Sequence, residues 1–167
     1  YKEENLEKKI AKYIHQGFIV GNFQGRSEWG PRALGNRSIL IRPSDKSVND
    51  TVNQRLNRSE FMPFAPSVID FRAKDYFINY QEDHIAAEYM TITYGVFKNK
   101  IPEIEAVVHV DATARPQVVK IDSNERYYKI LYEYEKISGI GCIVNTSFNL
   151  HEEPIVETPN DALRALE

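Results

Sequence analysis

The sequence predicts one domain of the α/β or α+β class, a twisted mixed β-sheet with helices packed beside it. Three observations lead there. Short runs rich in apolar and β-branched residues recur at 18–23, 38–41, 117–121 and 140–144 and read as buried strands. Two charged stretches, 3–15 and 124–138, carry apolar residues at helical spacing and read as amphipathic helices. Strands and helices follow each other without a strict βαβ alternation, an internal repeat or a low-complexity linker. The 167 residues suffice for one hydrophobic core, which places the domain at 1–167.

In chain order, the first helix carries Leu6, Ile10, Tyr13 and Ile14 on its apolar side and ends at Gly17. The strand 18–23 enters a loop dense in glycine and arginine, residues 25–37, and a strand leaves it at 38–41. Within the loop, Pro31 suits the first position of a short helix over 31–34 closed by Gly35. Such a helix would direct free N–H groups outward, and Arg26, Arg32 and Arg37 could converge there as an anion pocket suited to phosphate. The plainer alternative makes these arginines surface charges and the glycines turn residues. A turn at 43–45 precedes a helix over 48–57 with Val48, Val52 and Leu56 on one face. Pro63 and Pro66 impose an extended connection.

A short strand is expected at 67–69, a helix from 75 to 78, and strands at 89–97 and 107–110. Asn124 opens the second long helix and Gly139 closes it, with Tyr128, Leu131, Tyr132 and Ile137 among its apolar residues. Thr158 as N-cap and Pro159 at the first position open the last helix.

Composition excludes several classes. The net charge of −3 gives no basic footprint for nucleic acid. No stretch approaches the ~20 apolar residues of a membrane-spanning helix. The single cysteine, Cys142, excludes an intramolecular disulfide framework, reads as a buried structural thiol and fits a reducing, cytoplasmic setting. His15, His84, His109 and His151 are scattered, without zinc spacing, and no protein-held metal is expected. The start at Tyr1, without methionine and directly in a charged helix, reads as a piece cut from a longer chain.

Three polar loops follow strands: residues 25–37, 109–115 and 145–149. Ligands of open sheets gather where strands end. Arg115 can fork a phosphate, Thr113, Thr146 and Ser147 offer hydroxyls, and the Asn145 and Asn149 amides suit a group bearing both C=O and NH2. His109 reads equally well as a structural side chain, and Asp111, Thr113, Asn145 and Asn149 as turn residues.

The order of residues in these loops carries a resemblance. Gly25-Arg26-Ser27-Glu28-Trp29-Gly30-Pro31-Arg32-Ala33-Leu34-Gly35-Asn36-Arg37-Ser38 closely resembles the signature of the carbamoyltransferase family, which includes the nodulation carbamoyltransferases and the antibiotic O-carbamoyltransferases. Residues 64–68, 109–117 and 145–149, and the stretch through Pro159, resemble its further signatures, so the likeness spans nearly the whole chain. It implies a C-terminal domain of YrdC-like fold that binds carbamoyl phosphate and ATP, with Mg2+ accompanying the nucleotide. Such a domain forms carbamoyl-adenylate with release of pyrophosphate and phosphate. A preceding Kae1-like domain, which holds a metal, then moves the carbamoyl group to an acceptor hydroxyl.

By motif position the resemblance puts Arg32, Arg115 and Ser147 at the chemistry. Arg26, Arg37, Arg58, His109, Thr113, Asn145, Thr146 and Asn149 would surround substrate and nucleotide. No covalent nucleophile is implied. One departure stands out: family members commonly carry a lysine and an arginine where this chain has Leu56 and Met62, leaving Arg58, with Arg55 or Arg26 as substitutes. A nucleotide- or phosphate-binding regulatory module therefore stays open as an alternative. RNA binding is disfavoured by the acidic balance, and a homo-oligomer is left open.

Overall fold

The fold was analysed in a computed structural model, which describes residues 5–47, 54 and 64–166. The expected helix at 48–57, and with it Arg55, Leu56, Arg58 and Met62, lies outside the described residues apart from Gln54.

Seven strands form two sheets among the described residues. β1 (Val20–Phe23), β2 (Arg37–Ile41), β3 (Ala65–Ile69), β6 (Gln117–Val119) and β7 (Cys142–Ser147) make the main sheet, in the order β1-β2-β7-β3-β6. Only the β3–β6 pair is parallel, so the sheet is mixed, as expected. β4 (Tyr94–Gly95) and β5 (Thr113–Ala114) form a separate antiparallel ribbon.

The strand sequences are nearly continuous in apolar residues because the sheet is covered on both faces. Period-two alternation divides them. Leu40, Ile69, Val119 and Ile143 meet α1 (Leu6–His15) and the long C-terminal-half helix (Glu125–Ser138) through Ala11, Ile14, Tyr127, Ile130, Leu131 and Tyr134. Ile39, Ile41, Val68, Val118, Cys142 and Val144 face the opposite side, where Tyr76, Phe77, Tyr94, Ile104 and Phe148 complete a second cluster. Cys142 is fully buried, and burial pushes its thiol well above the usual range.

The remaining helices are α2 (Ala73–Tyr76), α3 (the helix Glu125–Ser138) and α4 (Pro159–Arg164). The Asn124 side chain accepts from the Tyr127 N–H, and Gly139 at φ 74° ends α3. Thr158 and Asp161 form a reciprocal capping box at the start of α4. In α3 the buried stripe is Tyr127, Ile130, Leu131 and Tyr134, whereas Tyr132 and Ile137 are exposed.

Three expected elements differ. Residues 31–34 form no helix. The strand expected at 89–97 shrinks to β4: Met90 takes a left-handed conformation, and the Thr91 hydroxyl donates to the Ala86 carbonyl (2.8 Å), which turns the chain. The strand expected at 107–110 is instead a 3-10 turn (Glu105–Val107) running into a tight loop, with Ala112 at φ 62°. Conversely, β7 runs on through Asn145, Thr146 and Ser147, where a loop was expected.

Gly35 has φ 118°, and a Cβ there would collide with the Tyr127 ring. Gly35→Ala should therefore cost about 3 kcal/mol from backbone strain and overpacking, measured as a lowered urea midpoint at unchanged slope.

Burial pushes Tyr80 and Tyr134 up to about 12, and raises Tyr76 and Tyr127 as well. Their neutral forms are the ones the fold holds, so their contribution is complete below the unfolded phenol value of about 10 and is lost as pH rises through the folded values. A phenol absorbance titration should show these tyrosines ionising only as the near-ultraviolet circular dichroism collapses.

Candidate functional site

An open cleft of about 720 Å³ lies at the C-terminal end of β7, the central strand of the main sheet. It is lined by Pro31, Arg32 and Ala33 of the arginine loop, by Phe64, Ala65, Met90 and Arg115, and by β7 with the following turn from Asn145 to Pro154, the acidic Glu152 and Glu153 included. Strand pairing explains the convergence. β7 lies between β2 and β3, with Ser38 opposite Ser147 and Ala65 opposite Asn145. β6, two residues after Arg115, pairs with β3.

The arginine loop is irregular, yet its backbone from Ala33 to Asn36 is held almost atom by atom. The Ala33 carbonyl accepts from Asn145 Nδ2 (3.1 Å) and the Leu34 carbonyl from Gln117 Nε2 (2.7 Å). The Leu34 and Asn36 N–H groups both donate to one Glu28 carboxylate oxygen (2.8 and 2.6 Å). The Gly35 N–H donates to Ser38 Oγ (2.9 Å) and its carbonyl accepts from Asn22 Nδ2 (2.6 Å). The Asn36 carbonyl accepts from the Gln24 N–H (3.0 Å). The N–H groups expected to face an anion from a short helix are thus in part already taken by an internal carboxylate.

The expected meeting of three arginines does not occur. Arg37 lies on β2, only 4% exposed, and donates to the carbonyls of Gln24 (2.7 Å), Asn36 (3.0 Å) and Gly25 (3.2 Å). Its guanidinium stacks 3.7 Å above the Phe23 ring. Arg26 is exposed and outside the cleft lining. Arg58 lies outside the described residues.

In the second loop, Arg115 enters the cleft but His109 and Thr113 do not line it. The Thr113 N–H and hydroxyl both donate to Asp111 Oδ1 (3.0 and 2.7 Å), which holds the Asp111 carboxyl below its usual range. The His109 carbonyl and N–H close the same turn, against Ala112 and Thr113.

Arg115 and Arg32 form the electrostatic centre of the cleft. Neither is paired with a carboxylate among the described residues, and Arg115 Nε is buried without a partner. Burial lowers the Arg115 pKa first, and the charge of Arg32 lowers it further. Both effects are costs of the charged form that an anion between the two guanidiniums would offset.

Asn145 is 1% exposed on β7, with its Oδ1 buried and unpartnered. Ser147 Oγ donates to Asn149 Oδ1 (2.5 Å), and Asn149 Nδ2 donates to the carbonyls of Leu150 (2.9 Å) and Glu153 (3.0 Å), which shapes the turn that closes the cleft. Arg164 of α4 forks Glu153 in that turn (2.6 and 3.1 Å). Glu28, Gln117, Met90 and His151 were not singled out from the sequence as site residues. Glu28 and Gln117 sit inside the first two motifs, which was their one signal. Among the described residues no three His, Cys, Asp or Glu side chains gather as metal ligands, and no helix is long and apolar enough to cross a membrane.

The family pattern described as carbamoyltransferase C-terminus matches residues 11–167. The chain belongs to that family. It is 44% identical to an uncharacterized protein of Methanocaldococcus jannaschii over 98% of its own length and 31% of the relative's. It is 37% identical to nodulation protein NolNO of Sinorhizobium fredii over 96% of its length and 24% of the relative's. As a carbamoyltransferase C-terminus, the chain thus spans between a quarter and a third of these relatives. Its fold is that of HypF, whose full-length crystal structure in the phosphate- and nucleotide-bound form superposes with TM-score 0.69 at 21% identity, covering 95% of this chain and 22% of that one. Sua5 of P. abyssi, as an H234A/Y235A variant, superposes with TM-score 0.64 at 12% identity, over 98% of this chain and 44% of Sua5. The YrdC-like architecture expected from the resemblance is the observed one.

Glu28 offers a direct test of the clamp on the arginine loop. Glu28→Ala leaves two backbone donors without their acceptor and should cost about 2 kcal/mol, whereas Glu28→Gln keeps a carbonyl acceptor and should cost less than ~1 kcal/mol. Urea unfolding of the two variants reads the difference.

Proposed function

We propose that this cleft binds carbamoyl phosphate and ATP and forms carbamoyl-adenylate, for transfer to an acceptor hydroxyl by a Kae1-like domain elsewhere in a longer chain. The observation that carries the reading is the Arg32–Arg115 pair, two cations that line one cleft with no carboxylate partner among the described residues, Glu153 of the same lining being taken by Arg164. Membership of the carbamoyltransferase C-terminus family supplies the substrate class.

The chemistry balances as two displacements. Water cleaves carbamoyl phosphate to carbamate and phosphate, and a carbamate oxygen then attacks the α-phosphorus of ATP, expelling pyrophosphate. Arg32 and Arg115 offset the charge that develops on the phosphoryl oxygens, already oriented before the reaction begins. Asn145 Oδ1, buried without a partner beside them, suits the carbamoyl NH2. Thr146, Ser147 and Asn149 line the same wall and supply polar groups to the ligand's oxygens. Mg2+ would arrive with ATP, bound chiefly through its phosphates. The chemistry calls for no covalent nucleophile, and the buried Cys142 thiol sits away from the cleft lining. A cytoplasmic setting, where both substrates occur together, fits this reading.

Thermal melts with Mg-ATP, carbamoyl phosphate and both together test the proposal, since a ligand at ~100 times its dissociation constant adds about 2.7 kcal/mol. Arg115→Ala should abolish the ligand shift and leave the free melting curve nearly unchanged, because among the described residues the side chain has no carboxylate partner and its buried Nε makes no hydrogen bond. A collapsed melting curve for that variant would make Arg115 structural. Pyrophosphate release that depends on carbamoyl phosphate separates the enzyme from a module that only binds.

A further inference from the structure

We propose that Gln117 is a positioning residue, which fixes the separation of Arg32 and Arg115 by tying the backbone of one to the loop of the other. The inference rests on the anion-binding reading of the cleft.

Gln117 is 5% exposed and does not line the cleft. It opens β6 two residues after Arg115, with Pro116 between them stiffening the link. Its Nε2 donates to the carbonyl of Leu34, two residues after Arg32 (2.7 Å). Its Oε1 accepts from Ser67 Oγ of β3 (2.7 Å) and Asn145 Nδ2 of β7 (3.0 Å). One side-chain amide thereby joins the arginine loop to the three strands at the cleft floor.

A tether is needed there for an electrostatic reason. The charge of Arg32 disfavours that of Arg115, neither guanidinium is ion-paired among the described residues although Glu152 and Glu153 also line the cleft, and the Arg32 loop has no helix or strand hydrogen bonds to hold it. Gln117 and Asn145 hold consecutive carbonyls of that loop, those of Leu34 and Ala33. Asn145 also faces the ligand space, whereas Gln117 acts only through the loop. Removing the tether lets Arg32 relax away from Arg115, so an anion must bring the cations together at the expense of its own affinity.

The test is calorimetric titration of the chain with inorganic pyrophosphate. Gln117→Met keeps the side-chain length and deletes the amide. It should weaken pyrophosphate binding about 10-fold, as loss of a ligand-orienting partner does elsewhere. Arg32→Ala should cost about 10-fold in the parent but less than about 2-fold in the Gln117→Met background, while the effects of the two substitutions on melting temperature simply add. A purely structural glutamine would move the melting temperature without coupling to Arg32 in affinity. Pyrophosphate binding by Gln117→Met equal to that of the parent, or an equal Arg32→Ala loss in both backgrounds, overturns the inference and leaves the anion-binding reading intact. If Gln117→Met does not fold, Gln117→Asn, whose amide is one methylene short of Leu34, is judged by the same two criteria. A parent chain that binds neither pyrophosphate, Mg-ATP nor carbamoyl phosphate overturns the cleft reading itself, and this inference with it.

Discussion

A buried loop without secondary structure must find a partner for each of its backbone polar groups, and this fold meets that requirement between Ala33 and Asn36 with side chains. Asn22, Glu28, Ser38, Gln117 and Asn145 come from the preceding loop and from four strands of the sheet, and together they close a backbone that no helix or ladder supports. The strand order β1-β2-β7-β3-β6 brings these donors and acceptors under one stretch of chain. The close fit of Gly35 on Tyr127 then anchors that stretch to α3. A cation can be held at the rim of a cleft only if the backbone beneath it does not yield, and Arg32 has such a backbone.

The two cores divide the labour. The face covered by α1 and α3 is aliphatic with a few tyrosines, and it fixes the sheet. The other face is richer in aromatic residues and is covered mainly by short 3-10 and turn segments instead of long helices. Loops and turns supply part of the cleft lining, Arg32 and Arg115 included, and β7 supplies Asn145, Thr146 and Ser147 from the rigid scaffold itself.

The five strands of the main sheet and both long helices were legible in the sequence because their signals are local: β-branched runs, helical spacing, a capping Asn124 and a closing Gly139. Of the three expected polar loops the first is irregular as read, whereas 113–114 and 145–147 are strand, yet six of their expected residues, Arg32, Arg115, Asn145, Thr146, Ser147 and Asn149, come together around one cleft. The partners that decide the rest are distant in the chain. Arg37 and Arg32 are the same residue type in the same motif, and only the folded carbonyls of Gln24, Gly25 and Asn36 turn one of them inward. Asn145 belongs to a strand because its backbone is paired between Leu40 and Ala65, both far away in sequence, and Ser67, Gln117 and Ala33 then receive its side-chain amide. Thr113 offered a hydroxyl to a ligand on paper, but Asp111, two residues away, takes it first. The false strand at 89–97 followed from aromatic and β-branched composition, which a single left-handed residue, Met90, overrides.

On the proposed anion-binding reading, Arg32 and Arg115 would also set how a ligand arrives. The chain as a whole carries a net charge of −3, so its distant field does not favour an anion. Attraction on that reading begins only within about one Debye length of the two guanidiniums, ~8 Å at physiological salt, where their charge is not screened. Capture of an anion is then governed by the final approach and by orientation at the mouth, and added salt slows entry less than it would for a protein that steers its ligand from afar.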